Sequence, residues 1–132
     1  MIDKTLSRFD NVFYVVGRAL LGLYFLVPGV MKILGYAGTL SLMQSKGIPL
    51  AEVLLPITIA MQVGLGFALI VGKYVRSSAF LLFGLTLVIN AFMHNFWALA
   101  GDPGQAHEMQ NFIKNLAIAA GLLVLAGRSN SN

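Results

Sequence analysis

The sequence predicts an all-α integral membrane protein, a four-helix bundle with both termini on the cytoplasmic side. Three observations carry that expectation. Hydrophobic residues make up 58% of the 132 and charged residues 11%, whereas soluble domains run at roughly 45–50% and about 25%. The apolar residues gather in four stretches, each near the roughly 17–25 residues that a spanning helix needs. Polar, glycine-bearing breaks separate them and, with the chain's two ends, hold most of the basic residues. The length suits a single domain, 1–132.

The first span is expected over 12–34, after a polar N-terminus carrying Asp3, Lys4, Arg8 and Asp10. It lacks a small-residue cleavage site and reads as a retained helix, not a removed signal peptide. A loop with Gly35, Gly38 and Gln44–Gly47 follows, in which 39–43 suits a short interfacial helix. The second span covers 49–71, with Pro49 at a position where helix entry tolerates proline. Pro56 lies inside it, as membrane bundles allow when neighbours satisfy the freed carbonyl. A basic turn with Lys73 and Arg76 leads to the third span, 78–97. Gly101-Asp102-Pro103-Gly104 reads as a loop from its turn residues. The fourth span covers 106–125, and a polar tail, 127–132, closes the chain.

Nine Lys and Arg against five Asp and Glu give a formal charge of +4. In this setting the excess belongs to the ends of spans and not to a nucleic-acid surface. With four spans, Lys4, Arg8, Lys73, Arg76 and Arg128 share one side, which the positive-inside rule makes cytoplasmic. The competing topology has three spans, with the lysine-bearing fourth segment lying at the interface. Glycines within the spans (Gly17, Gly22, Gly29, Gly64, Gly66, Gly84 and Gly121) are expected to allow close helix packing.

Chemistry at membrane depth rests on few residues. The absence of cysteine excludes a disulfide, a thiolate or a Cys-ligated metal. No metal-spaced histidine pair, phosphate loop or nucleophile triad is present, and no covalently bound cofactor is expected. Ionisable groups in a bilayer cost on the order of 2.5–3.5 kcal/mol at the centre, so each needs shelter. Arg18 either snorkels to the headgroups or pairs with a ligand or carbonyl. Lys32 follows it by 14 residues and falls on nearly the same helix face. His94, with Asn90 four residues earlier, carries the imidazole best suited to proton transfer. It could equally be a hydrogen-bonded structural residue or, with Trp97, an interfacial anchor. Lys114 has no carboxylate at pairing distance along its helix, and Asn115 adjoins it. Gln62 can accept from Lys114 or His94 across the bundle, or serve as a plain interhelical tie.

Threading the spans back and forth brings Lys32, His94, Lys114 and Asn115 into the outer half of the bilayer, with Gln62 below them. The expected result is one outward-facing polar pocket with two cations, an imidazole and no carboxylate, and the expected ligand-binding residues are Lys32, Gln62, Asn90, His94, Lys114 and Asn115. Such a pocket suits an electron-rich oxygen: a quinone carbonyl, a phenolate or a small anion.

Specific segments also carry a resemblance. They are Gly17-Arg18-Ala19-Leu20-Leu21-Gly22-Leu23, Gly29 with Lys32, Gly35-Tyr36-Ala37-Gly38, Met43 and Gly47-Ile48-Pro49. The Gly64/Gly66 region, Arg76, His94-Asn95-Phe96-Trp97, Lys114-Asn115-Leu116 and Gly121 continue the series. In this order they resemble the DoxX family of small bacterial membrane proteins over nearly the whole chain. The resemblance implies a four-helix inner-membrane protein tied to quinone-linked redox, as in a subunit of thiosulfate:quinone oxidoreductase. That family often has a glutamate where Gln62 stands, and the amide keeps hydrogen bonding without proton-coupled chemistry at that position.

Three functions follow as expectations. The first is a membrane component of a quinone-linked redox or oxidative-stress system, binding a quinone or small aromatic or anionic ligand and working with a redox partner protein. The second is a non-catalytic scaffold for a partner protein, and the third a small-solute channel or carrier. A homo-oligomer is compatible with all three.

Overall fold

The computed structural model describes residues 1–128. The end of the polar tail expected at 127–132, and with it the C-terminus, lies outside the described residues. Six α-helices run in order: α1 Ile2–Leu6, α2 Asp10–Leu34, α3 Tyr36–Ser45, α4 Ala51–Val71, α5 Val75–Met93 and α6 Gln105–Arg128. Among the described residues there is no strand. Four segments are long and apolar enough to cross a membrane: Ile2–Leu34, Ala51–Val71, Val75–Leu99 and Gln105–Arg128. The protein is therefore an all-helical, four-span molecule.

Local chemistry sets the boundaries. Gly35 closes α2, its N–H donating to the Met31 carbonyl at 2.9 Å. Gly47 and Gly72 end α3 and α4 with φ of +74° and +84°, a region open to glycine at little cost. The second span starts at Ala51 and not Pro49, because Leu50 takes a left-handed conformation (φ +55°) just before it. The third helix starts three residues earlier than expected and stops at Met93. His94 (φ −122°, ψ 42°) leaves the helix, and Phe96–Leu99 forms a separate 3-10 turn. The N-terminal residues are helical as well, joined to α2 through a 3-10 turn at Ser7–Phe9. Asp102 accepts from the Gly104 N–H at 2.8 Å and turns the chain into α6.

The four long helices alternate in direction. α2 packs along α4 and α5 along α6; the α4–α5 contact is narrower, and the α2–α6 seam is the thinnest. Lipid offers no hydrophobic drive between helices, so the α2–α4 pair depends on close approach. A methyl group added at Gly22 would lie 2.5 Å from the Gly66 carbonyl oxygen. One added at Gly66 would lie 2.8 Å from the Gly22 oxygen and 3.0 Å from the Leu26 nitrogen. Gly29 is similarly held against Gln62 and Val63. Gly17, Gly64, Gly84 and Gly121, by contrast, have open space at the Cβ position, so the packing role expected of them does not hold.

The main core, built on Phe25, Leu69, Val75, Leu82 and Leu122, fills the end of the bundle where α4 gives way to α5. We call this the terminal end, and the opposite one the site end. A smaller core of Met43, Ile48, Ala51 and Leu55 seats α3 across the site end. Outward positions such as Phe13, Val27, Phe67, Phe80, Val88 and Val124 are exposed, an apolar girdle suited to acyl chains.

Candidate functional site

Below the α3 cap lies a cavity of about 650 Å³, within the roughly 300–1,000 Å³ usual for small-molecule sites. Its walls are mainly apolar: Phe25, Pro28 and Met31 from α2, Leu42 and Met43 from α3, Leu55 from α4, Ile89 and Met93 from α5. Five of the six expected ligand residues line it. Lys32 comes from α2, Gln62 from α4, His94 from the end of α5, and Lys114 and Asn115 from α6. Four separate segments thus converge on one space.

The sixth, Asn90, does not line the cavity. It is buried, and its Nδ2 donates to the Phe112 carbonyl at 3.0 Å, tying α5 to α6. It shares a helix face with His94 only up to the point where the chain leaves the helix. His94 is correspondingly not a turn inside the helix but at its end, its N–H donating to the Asn90 carbonyl at 3.3 Å. Lys32 is half-buried, while Lys114 lines the cavity and remains exposed as a whole.

Gln62 makes neither expected cross-bundle contact through its oxygen. Its side chain is buried, and Oε1 is enclosed without a hydrogen-bond partner. A buried acceptor left unpaired costs about 1–3 kcal/mol. Such a group in a cavity wall is kept where a bound molecule, or a turn of the amide, completes it.

Arg18 and Arg76 lie away from the cavity. The Arg18 guanidinium rests against Gly72, where an added Cβ would meet Nη1 at 2.9 Å, and it stacks 5.2 Å from the Tyr14 ring centroid. A cation at the C-terminus of α4 is favoured by the helix dipole. Arg18 is thus a terminal-end packing residue. Arg76 occupies the first turn of α5 at the same end.

Two residues not expected from sequence complete the site. Tyr24 lines the cavity, and its hydroxyl donates to Asn115 Oδ1 at 2.8 Å across the α2–α6 seam. Pro28, four residues on, lacks the N–H that would bond the Tyr24 carbonyl, so the helix backbone is loosened at the cavity wall. No carboxylate lines the cavity itself, but Glu108 stands at its rim behind His94. Its Oε1 lies 3.4 Å from His94 Nδ1 and accepts from Asn111 Nδ2 at 3.2 Å. Its Oε2 lies 3.6 Å from Lys46 Nζ, which follows α3. Among the described residues no group of three His, Cys, Asp or Glu could hold a metal ion. Phe96, Trp97 and Phe112 pack edge-to-face at 5.4–5.5 Å beside this rim and anchor the 3-10 turn to α6.

Four apolar spans enclosing a polar-edged cavity near one end define a small multi-pass membrane protein. The chain belongs to the DoxX family, whose model matches residues 13–95. It is 32% identical to the inner membrane protein YqjF of Escherichia coli (strain K12), covering 92% of this chain and 87% of that protein. It is 31% identical to the inner membrane protein YphA of the same organism, covering 93% of this chain and 91% of that one. No solved structure matches it. The protein is accordingly a multi-pass inner-membrane protein in contact with the lipid bilayer.

Proposed function

We propose that the protein is a membrane component of a quinone-linked redox or oxidative-stress system, and that its cavity binds a quinone or a related small aromatic or anionic ligand. One observation carries the reading: Lys32, Gln62, His94, Lys114 and Asn115 line a single, mostly apolar cavity. Apolar walls suit a ring, and two ammonium groups suit oxygens that carry or gain negative charge. The bound molecule would supply the electron chemistry; the chain supplies position, charge and hydrogen bonds. In this reading the site end faces outward, both termini are cytoplasmic, and a protein partner delivers or removes electrons.

The test is titration of decylubiquinone into protein held in lipid nanodiscs, read by quenching of Trp97, the single tryptophan. Saturable binding is expected, weakened at least about tenfold in the Lys32→Met/Lys114→Met double variant, since hydrogen bonds to charged groups contribute about 1.5–3 kcal/mol each. Equal quenching of both proteins would overturn the reading.

A further inference from the structure

The cavity and the rim carboxylate meet at one residue. His94 lines the cavity, and its Nδ1 is turned to Glu108 Oε1 at 3.4 Å. A carboxylate accepts hydrogen bonds and cannot donate when ionised. A neutral imidazole beside it therefore carries its proton on Nδ1, which leaves Nε2 with a free lone pair. Glu108 is itself steadied by Asn111 at 3.2 Å and Lys46 at 3.6 Å. It is a poor candidate for a free-swinging surface charge.

We propose that His94 is the proton-exchange residue of the cavity, and that Glu108 is a positioning residue that holds the Nδ1–H form so that Nε2 can accept a proton from a ligand hydroxyl. This deepens the quinone reading and rests on it for the ligand class, a hydroquinone or phenol. In the step, the ligand O–H bond breaks and an Nε2–H bond forms. The imidazolium is balanced by Glu108, and the new oxyanion is left in a cavity flanked by Lys32 and Lys114. The Nδ1 proton then passes to water at the rim, where the His94 and Glu108 side chains keep 25% and 17% of their exposure. No electron moves, so no oxidant is required for this step.

The charged groups around the ring are Glu108 and Lys114 from α6, Lys46 after α3, and Lys32 from α2. The α4 wall offers only the neutral Thr58 and Gln62. Among these groups only Glu108 can stabilise a positive imidazole, which is why its removal is decisive.

The chain has two histidines, so a His107→Gln protein gives a single imidazole signal. In this background, ¹⁵N NMR of histidine-labelled protein above neutral pH should show a protonated Nδ1 and a bare Nε2. Glu108→Gln, which keeps an acceptor, should preserve that form, and Glu108→Leu should shift it to Nε2–H. An Nε2–H signal without either Glu108 change, or no response to Glu108→Leu, would overturn the inference. With decylubiquinol as probe, affinity should fall at least about tenfold in His94→Phe, which removes the Nε2 acceptor. Decylubiquinone, which has no hydroxyl to deprotonate, should lose much less. Equal losses for the two probes would also overturn it. Failure of both probes to bind, with the Nδ1–H form intact, would overturn the quinone reading and leave the His94–Glu108 assignment standing.

Discussion

The two ends of the bundle use the same four helices differently. At the terminal end, Leu69, Ala79, Leu82 and Leu122 are fully enclosed, and Gly22 meets Gly66 backbone to backbone. At the site end the helices hold open a cavity of about 650 Å³ edged by two lysines, a histidine, two amides and four hydroxyls. The uneven packing of α2 explains both. It stays pinched against α4 from Gly22–Gly66 to Gly29–Val63, while its seam with α6 is thin and leaves room for the cavity; proline at 28 and at 56 also loosens the backbone of both helices. The closed end contributes stability; the open end is released from that duty and can carry polar groups. Substitutions should therefore fall into two sets, one altering stability and the other altering ligand binding.

The largest expected effect is on the pinch. Gly66→Val places a side chain against the Gly22 oxygen and the Leu26 nitrogen, neither of which can yield. Loss of the folded protein from the membrane fraction is the expected outcome, and normal yield with unchanged melting would break the comparison. Leu122→Ala, in the closed core, should cost about 2–5 kcal/mol as a cavity-forming change, read as a lowered Tm in detergent. Asn90→Leu removes the α5–α6 tie to the Phe112 carbonyl and should cost about 0.5–1.5 kcal/mol, the net contribution of one hydrogen bond. Tyr24→Phe, at the open end, loses only the bond to Asn115 and should cost about 0.5–1.5 kcal/mol. Lys32→Met should leave stability within about 0.5 kcal/mol of the parent while weakening decylubiquinone binding. A Lys32→Met protein that melts like Leu122→Ala would erase the distinction between the ends.

Much of this division was legible in the amino-acid sequence, and the reasons differ by element. The four spans follow from hydropathy and loop chemistry, because a bilayer leaves the backbone few alternatives. Lys32, His94 and Lys114 could be brought to one side because their depth follows from counting along alternating helices. Glu108 was not legible as their neighbour. It stands 14 residues from His94, across a loop whose path depends on the 3-10 turn at Phe96–Leu99 and on Gly101 (φ +82°). Tyr24 was hidden in an apolar run, although a phenol at mid-span needs a partner, and that signal could have marked it. Asn90 is expected beside His94 because i and i+4 share a face on a helix. The chain leaves the helix at His94, and the spacing argument ends there. The glycines divide for a similar reason: sequence shows a small residue, and only the crossing shows which of them the partner helix touches.

Whether one cavity, walled by Lys32, Gln62, His94 and Lys114, receives the ligand can be read from the adducts of a photoreactive azido-quinone, mapped on the protein in nanodiscs by peptide mass spectrometry. Labels are expected on α2 between Tyr24 and Lys32 and on α6 near Lys114, suppressed by excess decylubiquinone. Labels spread over the lipid-facing girdle at Phe67, Phe80 and Val88, and insensitive to that competitor, would contradict it.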